Sequence, residues 1–208
     1  MSENQGKRAH WLQQVADVLG SPPPRRLAAR EMRLASVLVP LYVDGGELWV
    51  VLTKRADSLP SHKGQIAFPG GGRELGEDAW SAALRETHEE IGIPPDRVLR
   101  LGQLDETDLP SGFRVLPCVG ALPFPFETRP NPHEIAEVFA IPLSALANPS
   151  LVEERRVRLD GRDRMLRIYH IGGRQIWGAT ARILQNLLVR LGKGDTELAA
   201  EEAPEADA

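Results

Sequence analysis

The sequence contains a single cysteine, Cys118, among its 208 residues, so no disulfide can form within the chain. Chains without disulfides are typical of the reducing cytosol. No run of residues approaches the roughly 18 apolar residues that a membrane helix needs. The first residues, MSENQGKRAHWLQQ, also lack the apolar stretch of a secretory signal. These absences predict a cytoplasmic protein with no membrane partner.

An excess of basic residues is also missing, since 25 Lys and Arg stand against 29 Asp and Glu. A protein that coats nucleic acid needs a strongly basic face, so nucleic acid is not expected as a partner. Residues 195–208 hold six of the acids and no basic residue, which leaves 25 basic against 23 acidic residues elsewhere. Residues 71–92 alone carry six acids. An acidic segment within a basic body suits a polyanionic ligand bound through cations.

The patterning predicts three segments: residues 1–30 as an N-terminal helix and Pro-rich linker, 31–192 as the main domain, and 193–208 as a disordered acidic tail. The main domain alternates strand-like and helical stretches, which predicts an α/β fold with a mixed sheet between helices. The expected strands are 34–43, 47–53, 98–104, 113–122, 135–141, 152–159 and 164–171, and the expected helices are 8–19, 77–91 and 179–191. The strand order cannot be read from this pattern.

The helix predicted over 77–91 carries Glu86, Glu89 and Glu90 on one arc, because positions three and four apart are neighbours on a helix. Three carboxylates so close repel one another, and a divalent cation reverses that effect. Mg²⁺ takes carboxylate oxygens together with waters and substrate phosphates. The glycines at 70–72 permit a close backbone approach to such a site. The alternative interpretation is a solvated, charged helix face.

The glycines and the acidic helix belong to one extended pattern. It runs from Gly71 through five residues to Glu77, and then through seven residues to Arg85-Glu-Thr-His-Glu-Glu-Ile-Gly-Ile93. This pattern resembles the Nudix box of the Nudix hydrolases, and all seven of its invariant letters are present. Thr87 departs from it, because that position is usually aliphatic.

The resemblance implies the Nudix fold and the hydrolysis of a diphosphate bond, with Mg²⁺ or Mn²⁺ as the cofactor. Glu77 and Arg85 are implied to fix the carboxylates. The implied metal ligands are Glu86, Glu90, Glu89 and the carbonyl of Gly71. The general base is left open between Glu89 and Glu134 of a later loop, since relatives use either place. Glu134 is equally well interpreted as an exposed acid.

A segment upstream of the Nudix box narrows the choice of substrate. Leu52–Ala56, Gly64 and Phe68–Gly71 resemble the motif of the coenzyme A diphosphatase subfamily. That resemblance implies a small-molecule substrate, coenzyme A or a related nucleotide diphosphate, cleaved to 4′-phosphopantetheine and adenosine 3′,5′-bisphosphate. The expected substrate-binding residues are Arg55, Gly64, Phe68 and Gly70, with Arg55 meeting the adenosine phosphates.

Pro60 stands where the motif usually has a basic residue, which keeps other substrates open: NADH, ADP-ribose or a nucleoside triphosphate. A non-catalytic module that binds a nucleotide is a further alternative, although such modules tend to lose carboxylates of the box. The N-terminal helix with Trp11 packs either on the body or on a second subunit, so a homodimer is possible.

Overall fold

The computed structural model describes residues 3–28, 30–59, 62–159 and 162–194. Pro60 and the acidic tail from Asp195 onwards lie outside these ranges. The elements in chain order are α1 (Glu3–Gly20), β1 (Arg33–Asp44), β2 (Glu47–Arg55), β3 (Ile66–Ala67), β4 (Gly70–Gly72), α2 (Ala79–Ile91), β5 (Leu99–Gln103), β6 (Thr107–Asp108), β7 (Phe113–Ala121), β8 (Ile135–Pro142), α3 (Leu143–Leu146), β9 (Val152–Leu159), β10 (Arg162–Ile171), β11 (Arg174–Ile176) and α4 (Gly178–Arg190). Within the described ranges, every helix is too short or too polar to span a membrane.

The main sheet is mixed, as the sequence predicts. Its central order is β3-β2-β1-β7-β5, with β4 paired to β1, β6 to β7 and β8 to β2. The pairing of β1 with β7 is parallel, and the other pairings are antiparallel. Strands β9, β10 and β11 form a second, antiparallel sheet. Gly45 and Gly46 both have positive φ in the hairpin between β1 and β2, as a tight two-residue turn requires.

Both faces of the main sheet are covered, because successive side chains of a strand point to opposite sides. Leu38 and Tyr42 of β1 pack in the cluster that contains α2. Val39 and Leu41 pack in the cluster that contains α1 and α4. The α/β sandwich expected from the sequence is therefore the observed architecture.

Helix α1 packs on the body of its own chain. Val15 and Leu19 are each 1% exposed and belong to the main core cluster. A Cβ at Gly102 of β5 would lie 2.8 Å from the Cβ of Leu19, so glycine permits this close approach. The helix begins at Glu3, earlier than the 8–19 expected from the apolar spacing.

Helix α2 begins at Ala79, two residues later than the sequence pattern predicts. Asp78 is its N-cap, and its Oδ1 accepts hydrogen bonds from the backbone of Trp80 at 2.8 Å and Ser81 at 3.2 Å. A capping carboxylate satisfies N–H groups that have no partner within the helix. The helix ends at Ile91, as predicted, and its C-cap is Gly92, which has a φ of 72°.

Asp105 joins the N-terminal linker to α4. Its carboxylate accepts hydrogen bonds from Arg25 N at 2.8 Å, Arg190 Nη2 at 2.6 Å and Asn186 Nδ2 at 3.0 Å. Burial alone would raise the pKa of Asp105, but these donors outweigh it and hold the pKa below its ordinary value. Asp105 therefore stabilises the folded state in its charged form.

We expect Asp105→Ala to lower the free energy of unfolding by about 2 kcal/mol at pH 7, because it removes the acceptor from several donors. A lowered folded-state pKa gives stability that is present above the unfolded value, about 4, and lost as the pH falls through the folded value. Urea unfolding from pH 7 to pH 3 should show the gap to wild type closing below about pH 4. Glu31→Ala, at an exposed acid, is the control, and an equal effect there would contradict this role.

Candidate active site

The carboxylates of α2 lie against the backbone of β4. Glu90 is 3% exposed, and its Oε2 accepts a hydrogen bond from Gly70 N at 3.1 Å. A Cβ at Gly71 would lie 2.5 Å from Glu86 Cδ, so only glycine leaves room for that carboxylate. Gly70 has a φ of 151°, and a Cβ there would lie 2.4 Å from the carbonyl oxygen of Ser36. The glycines are therefore required by close contacts on both sides of β4.

The opposite side of α2 anchors this arrangement in the core. Ala83, Leu84 and Ile91 are buried in the cluster beneath the helix. Thr87 is fully buried, and its hydroxyl donates to Ala83 O at 2.6 Å. That bond satisfies the polar group which replaces the usual aliphatic residue of the box.

Arg85 contacts three carboxylates of the motif, those of Glu77, Glu86 and Glu89. Its Nε lies 3.0 Å from Glu77 Oε1, and its Nη1 lies 2.9 Å from Glu86 Oε1 and 3.3 Å from Glu89 Oε2. Its Nη2 donates to Gly72 O at 3.1 Å. The hydrogen bonds from Arg85 lead the effects that hold the pKa of Glu77 below its ordinary value. The guanidinium thus connects the strand, the turn and the helix of the motif.

Burial and repulsion between like charges disfavour the charged forms of Glu86 and Glu90. Burial, with Glu86 and Glu134 nearby, raises the pKa of Glu90 to about 7, although Gly70 N and Arg55 oppose the shift. Burial also raises the pKa of Glu86, with Arg85 opposing it and Glu89 and Glu134 adding to it. The charge of Glu134 thus acts on both Glu86 and Glu90, and the charge of Glu89 acts on Glu86. A bound cation would remove the repulsion.

Glu134 comes to this cluster from the loop before β8. Asn131 N donates to Glu90 O at 2.8 Å, which ties the loop to the end of α2. Asn131 Nδ2 donates to Glu134 Oε1 at 3.1 Å and so orients that carboxylate. The sequence interpretation did not identify Asn131. Asn131-Pro132 signals a turn, but nothing in the sequence shows that the turn reaches α2.

Arg55 lies at the end of β2, where it pairs with Ile135, the residue after Glu134. Its neighbour Ala56 donates from N to Glu134 O at 2.8 Å, and its positive charge acts on Glu90. Within the described residues, the buried Nε of Arg55 has no hydrogen-bond partner. A buried guanidinium N–H without an acceptor is suited to an anionic oxygen of a ligand.

Phe68 and Gly64, which the sequence also predicts to bind substrate, make close contacts with other parts of the protein. Phe68 is 4% exposed in the main core cluster, so its ring offers little surface to a ligand and instead fixes the segment that leads to β4. Gly64 has a φ of +64°, and a Cβ there would lie 2.9 Å from Asp57 Oδ1. Gly64 therefore permits a tight turn beside Arg55, whose N donates to Gln65 O at 3.0 Å.

The donor chemistry of the site fits a hard divalent cation. In the described part of the chain, no three Asp, Glu, His or Cys side chains form a ready-made metal cluster. Glu86 is turned towards Arg85 and Glu90 towards Gly70 N. Mg²⁺ needs only a few carboxylate oxygens, since waters and phosphate oxygens complete its shell. Glu86 and Glu90, beside the backbone of Gly71, could supply those oxygens.

Comparisons with known proteins agree with this geometry. The model of the NUDIX domain matches residues 32–160. The chain is 38% identical over 167 residues to an uncharacterized Nudix hydrolase, NudL, of Photorhabdus laumondii, covering 80% of this chain and 88% of that protein. It is 37% identical over 129 residues to the peroxisomal coenzyme A diphosphatase NUDT7 of Mus musculus, covering 62% of this chain and 55% of that protein.

Among solved structures, a MutT/nudix family protein from Enterococcus faecalis superposes with a TM-score of 0.52 at 17% identity, covering 92% of this chain and 75% of that one. This likeness concerns the fold. The family match, the NudL relative and the arrangement of the box on α2 and β4 lead to one conclusion: the chain belongs to the Nudix family of hydrolases.

Proposed function

We propose that this protein hydrolyses the diphosphate bond of coenzyme A or its derivatives with Mg²⁺ or Mn²⁺, giving 4′-phosphopantetheine and adenosine 3′,5′-bisphosphate. The observation that carries the proposal is that the buried Nε of Arg55 has no partner among the described residues, while the charge of Arg55 acts on the carboxylate of Glu90. A cation-binding carboxylate and an anion-binding guanidinium at one place suit a diphosphate substrate.

Each residue of the site has a distinct role in this proposal. Glu86 and Glu90 would hold the cation, and Arg85 keeps Glu86 in position through its 2.9 Å contact. When bound there, a divalent cation would offset charge on the phosphoryl oxygens and lower the pKa of a water. Arg55 binds an oxygen of the diphosphate and so orients the substrate for attack.

Glu134 is the stronger candidate for the general base. Its charge acts on Glu86 and Glu90, and Asn131 Nδ2 donates to its Oε1 at 3.1 Å, which leaves its other oxygen to accept a proton from a water. Glu89 is 55% exposed and lies at 3.3 Å from Arg85. A base must lie within reach of the water whose proton it accepts, and the ordered position favours Glu134.

The choice of coenzyme A depends on the segment from Leu52 to Gly71. Its order along the chain resembles the motif of coenzyme A diphosphatases, and the mouse relative bears that name. NADH, ADP-ribose and nucleoside triphosphates are the alternative substrates, which Pro60 keeps open. Assays of coenzyme A and these compounds with Mg²⁺ and with Mn²⁺, with the products identified, test the proposal. Turnover of none of them with either metal would favour a nucleotide-binding module.

We expect Glu90→Gln to lower kcat by roughly 100- to 1000-fold, because a lost ligand charge removes several kcal/mol of catalysis by the cation. The amide oxygen can still accept the hydrogen bond from Gly70, so the thermal unfolding temperature should not fall. Calorimetric titration with Mn²⁺ should show weakened binding. Glu74→Gln, at an exposed acid on the approach to α2, should match wild type; unchanged kcat in Glu90→Gln would remove Glu90 from the metal site.

Glu134→Gln should lower kcat about 100-fold or more, with little change in KM or in Mn²⁺ binding, because general base catalysis contributes on this scale. Glu89→Gln is the matched comparison, and its kcat should fall less. The reverse result, an inactive Glu89→Gln that still binds metal beside a fully active Glu134→Gln, would exclude Glu134 as the base.

Arg55→Ala should raise KM by roughly 10- to 100-fold, because a charge-assisted contact to the substrate is lost. The effect of the Arg55 charge on Glu90, a residue proposed to hold the cation, favours a contact with the diphosphate over one with the 3′-phosphate. Coenzyme A and dephospho-coenzyme A should therefore be affected equally. A much larger effect on coenzyme A would assign Arg55 to the 3′-phosphate, and Arg97→Ala, at an exposed arginine, controls for general charge.

A further inference from the structure

Lys54 has no carboxylate partner, although a glutamate lies directly opposite it. In the pairing of β2 with β8, Lys54 is opposite Glu137, and opposite charges at such positions normally interact. Glu137 instead forms an ion pair with Arg174 of β11, whose Cζ lies 4.3 Å from the centroid of the Phe139 ring. In the part of the chain that the structure describes, Lys54 forms no ion pair. Its ammonium group is therefore available to an anion.

Lys54 and Arg55 present their side chains on opposite faces of the sheet. Residues two apart on a strand share a face, and Leu52 packs in the core cluster that contains α4, so Lys54 lies on the α4 side. Arg55 is directly opposite Ile135, which packs in the cluster that contains α2, so Arg55 lies on the α2 side. The end of β2 thus presents one cation on each face.

The chain from β11 to the first turn of α4 crosses the row of residues that holds Lys54. Ile66 of β3 and Glu137 of β8 are both directly opposite Lys54, so the three residues form one row across the sheet. Thr180 Oγ1 donates to Ile66 O at 2.9 Å, and Arg174 pairs with Glu137. The crossing segment is therefore anchored on both sides of Lys54.

Trp177 lies midway between these two anchors. It is three residues from both Arg174 and Thr180, so its Cα lies within about 10 Å of each. The preceding residue, Ile176, is fully buried, whereas Trp177 is 46% exposed. The indole makes no capping hydrogen bond to α4. Tryptophan is highly buried on average, so this exposed ring is a suitable surface for a planar ligand.

We propose that Lys54 and Trp177 form a subsite for the nucleoside end of the substrate, in which the indole stacks on the adenine and the ammonium group binds the 3′-phosphate. This inference rests on the proposed function and names the residues that select coenzyme A. Strand β2 ends at Arg55, so a substrate can pass around the end of the strand. It then places its diphosphate on Arg55 and its 3′-phosphate on Lys54.

The lysine is tested by calorimetry on the full chain with Mg²⁺, using adenosine 3′,5′-bisphosphate and adenosine 5′-monophosphate as probes. Lys54→Met should weaken binding of the bisphosphate at least tenfold and leave that of the monophosphate within twofold, because only the first carries the 3′-phosphate. Lys193→Met is the matched control, since Lys193 lies over the ring of Trp11. Equal loss for both probes, or the same loss in Lys193→Met, would exclude Lys54 from the subsite.

The tryptophan is tested with the same two probes. Trp177→Leu should weaken both about tenfold, because base stacking does not depend on the 3′-phosphate. Trp177→Phe should keep most of the affinity, since a phenyl ring still stacks. An unchanged Kd for both probes in Trp177→Leu would overturn the stacking role. Thermal unfolding checks that each variant folds, and Lys54→Met keeps the test valid if Trp177→Leu does not.

Kinetics separate this subsite from the proposed reaction. Lys54→Met should raise KM for coenzyme A at least tenfold and KM for dephospho-coenzyme A much less. A wild type that hydrolyses neither substrate, yet shows these differences in probe binding, would overturn the proposed function and support the subsite. Hydrolysis of both substrates by Lys54→Met with unchanged KM would support the proposed function and overturn the subsite.

Discussion

The structure depends on holding two like charges, those of Glu86 and Glu90, close together and partly out of water. Their carboxylates lie against the backbone of Gly71 and Gly70, and burial raises the pKa of both. Such an arrangement is unfavourable by itself. It persists because Arg85 contacts Glu86 at 2.9 Å, Gly70 N donates to Glu90 at 3.1 Å, and the apolar face of α2 is buried in the core.

The stabilising contacts that support this site lie on the other side of α2. Ala83 and Ile91 are fully buried against the sheet, and Asp78 and Gly92 satisfy the ends of the helix. Arg85 adds electrostatic stabilisation of the site, since its guanidinium contacts three carboxylates at 3.3 Å or less. The apolar face fixes the helix, and the arginine then fixes the polar face, so the carboxylates are positioned before any ligand binds.

The two arginines near the carboxylates have different partners, and this difference supports the different functions that we propose for them. Arg85 has its donors engaged by Glu77, Glu86, Glu89 and Gly72. Arg55 acts on Glu90 through its charge, while its buried Nε has no acceptor among the described residues. A saturated arginine maintains geometry, and an arginine with an open donor can bind a ligand. Residue type alone does not separate these two functions.

The sequence by itself determined the local features: the mixed α/β class, the end of α2 at Ile91 and the shared arc of Glu86, Glu89 and Glu90. These follow from helical and strand periodicity and from the backbone freedom of glycine, which act over a few residues. Tertiary structure alone decided the strand order, the burial of Phe68, and the contacts of Asn131 with Glu90 and Glu134. Contacts between residues distant in sequence depend on how whole elements pack, and no local pattern encodes that packing.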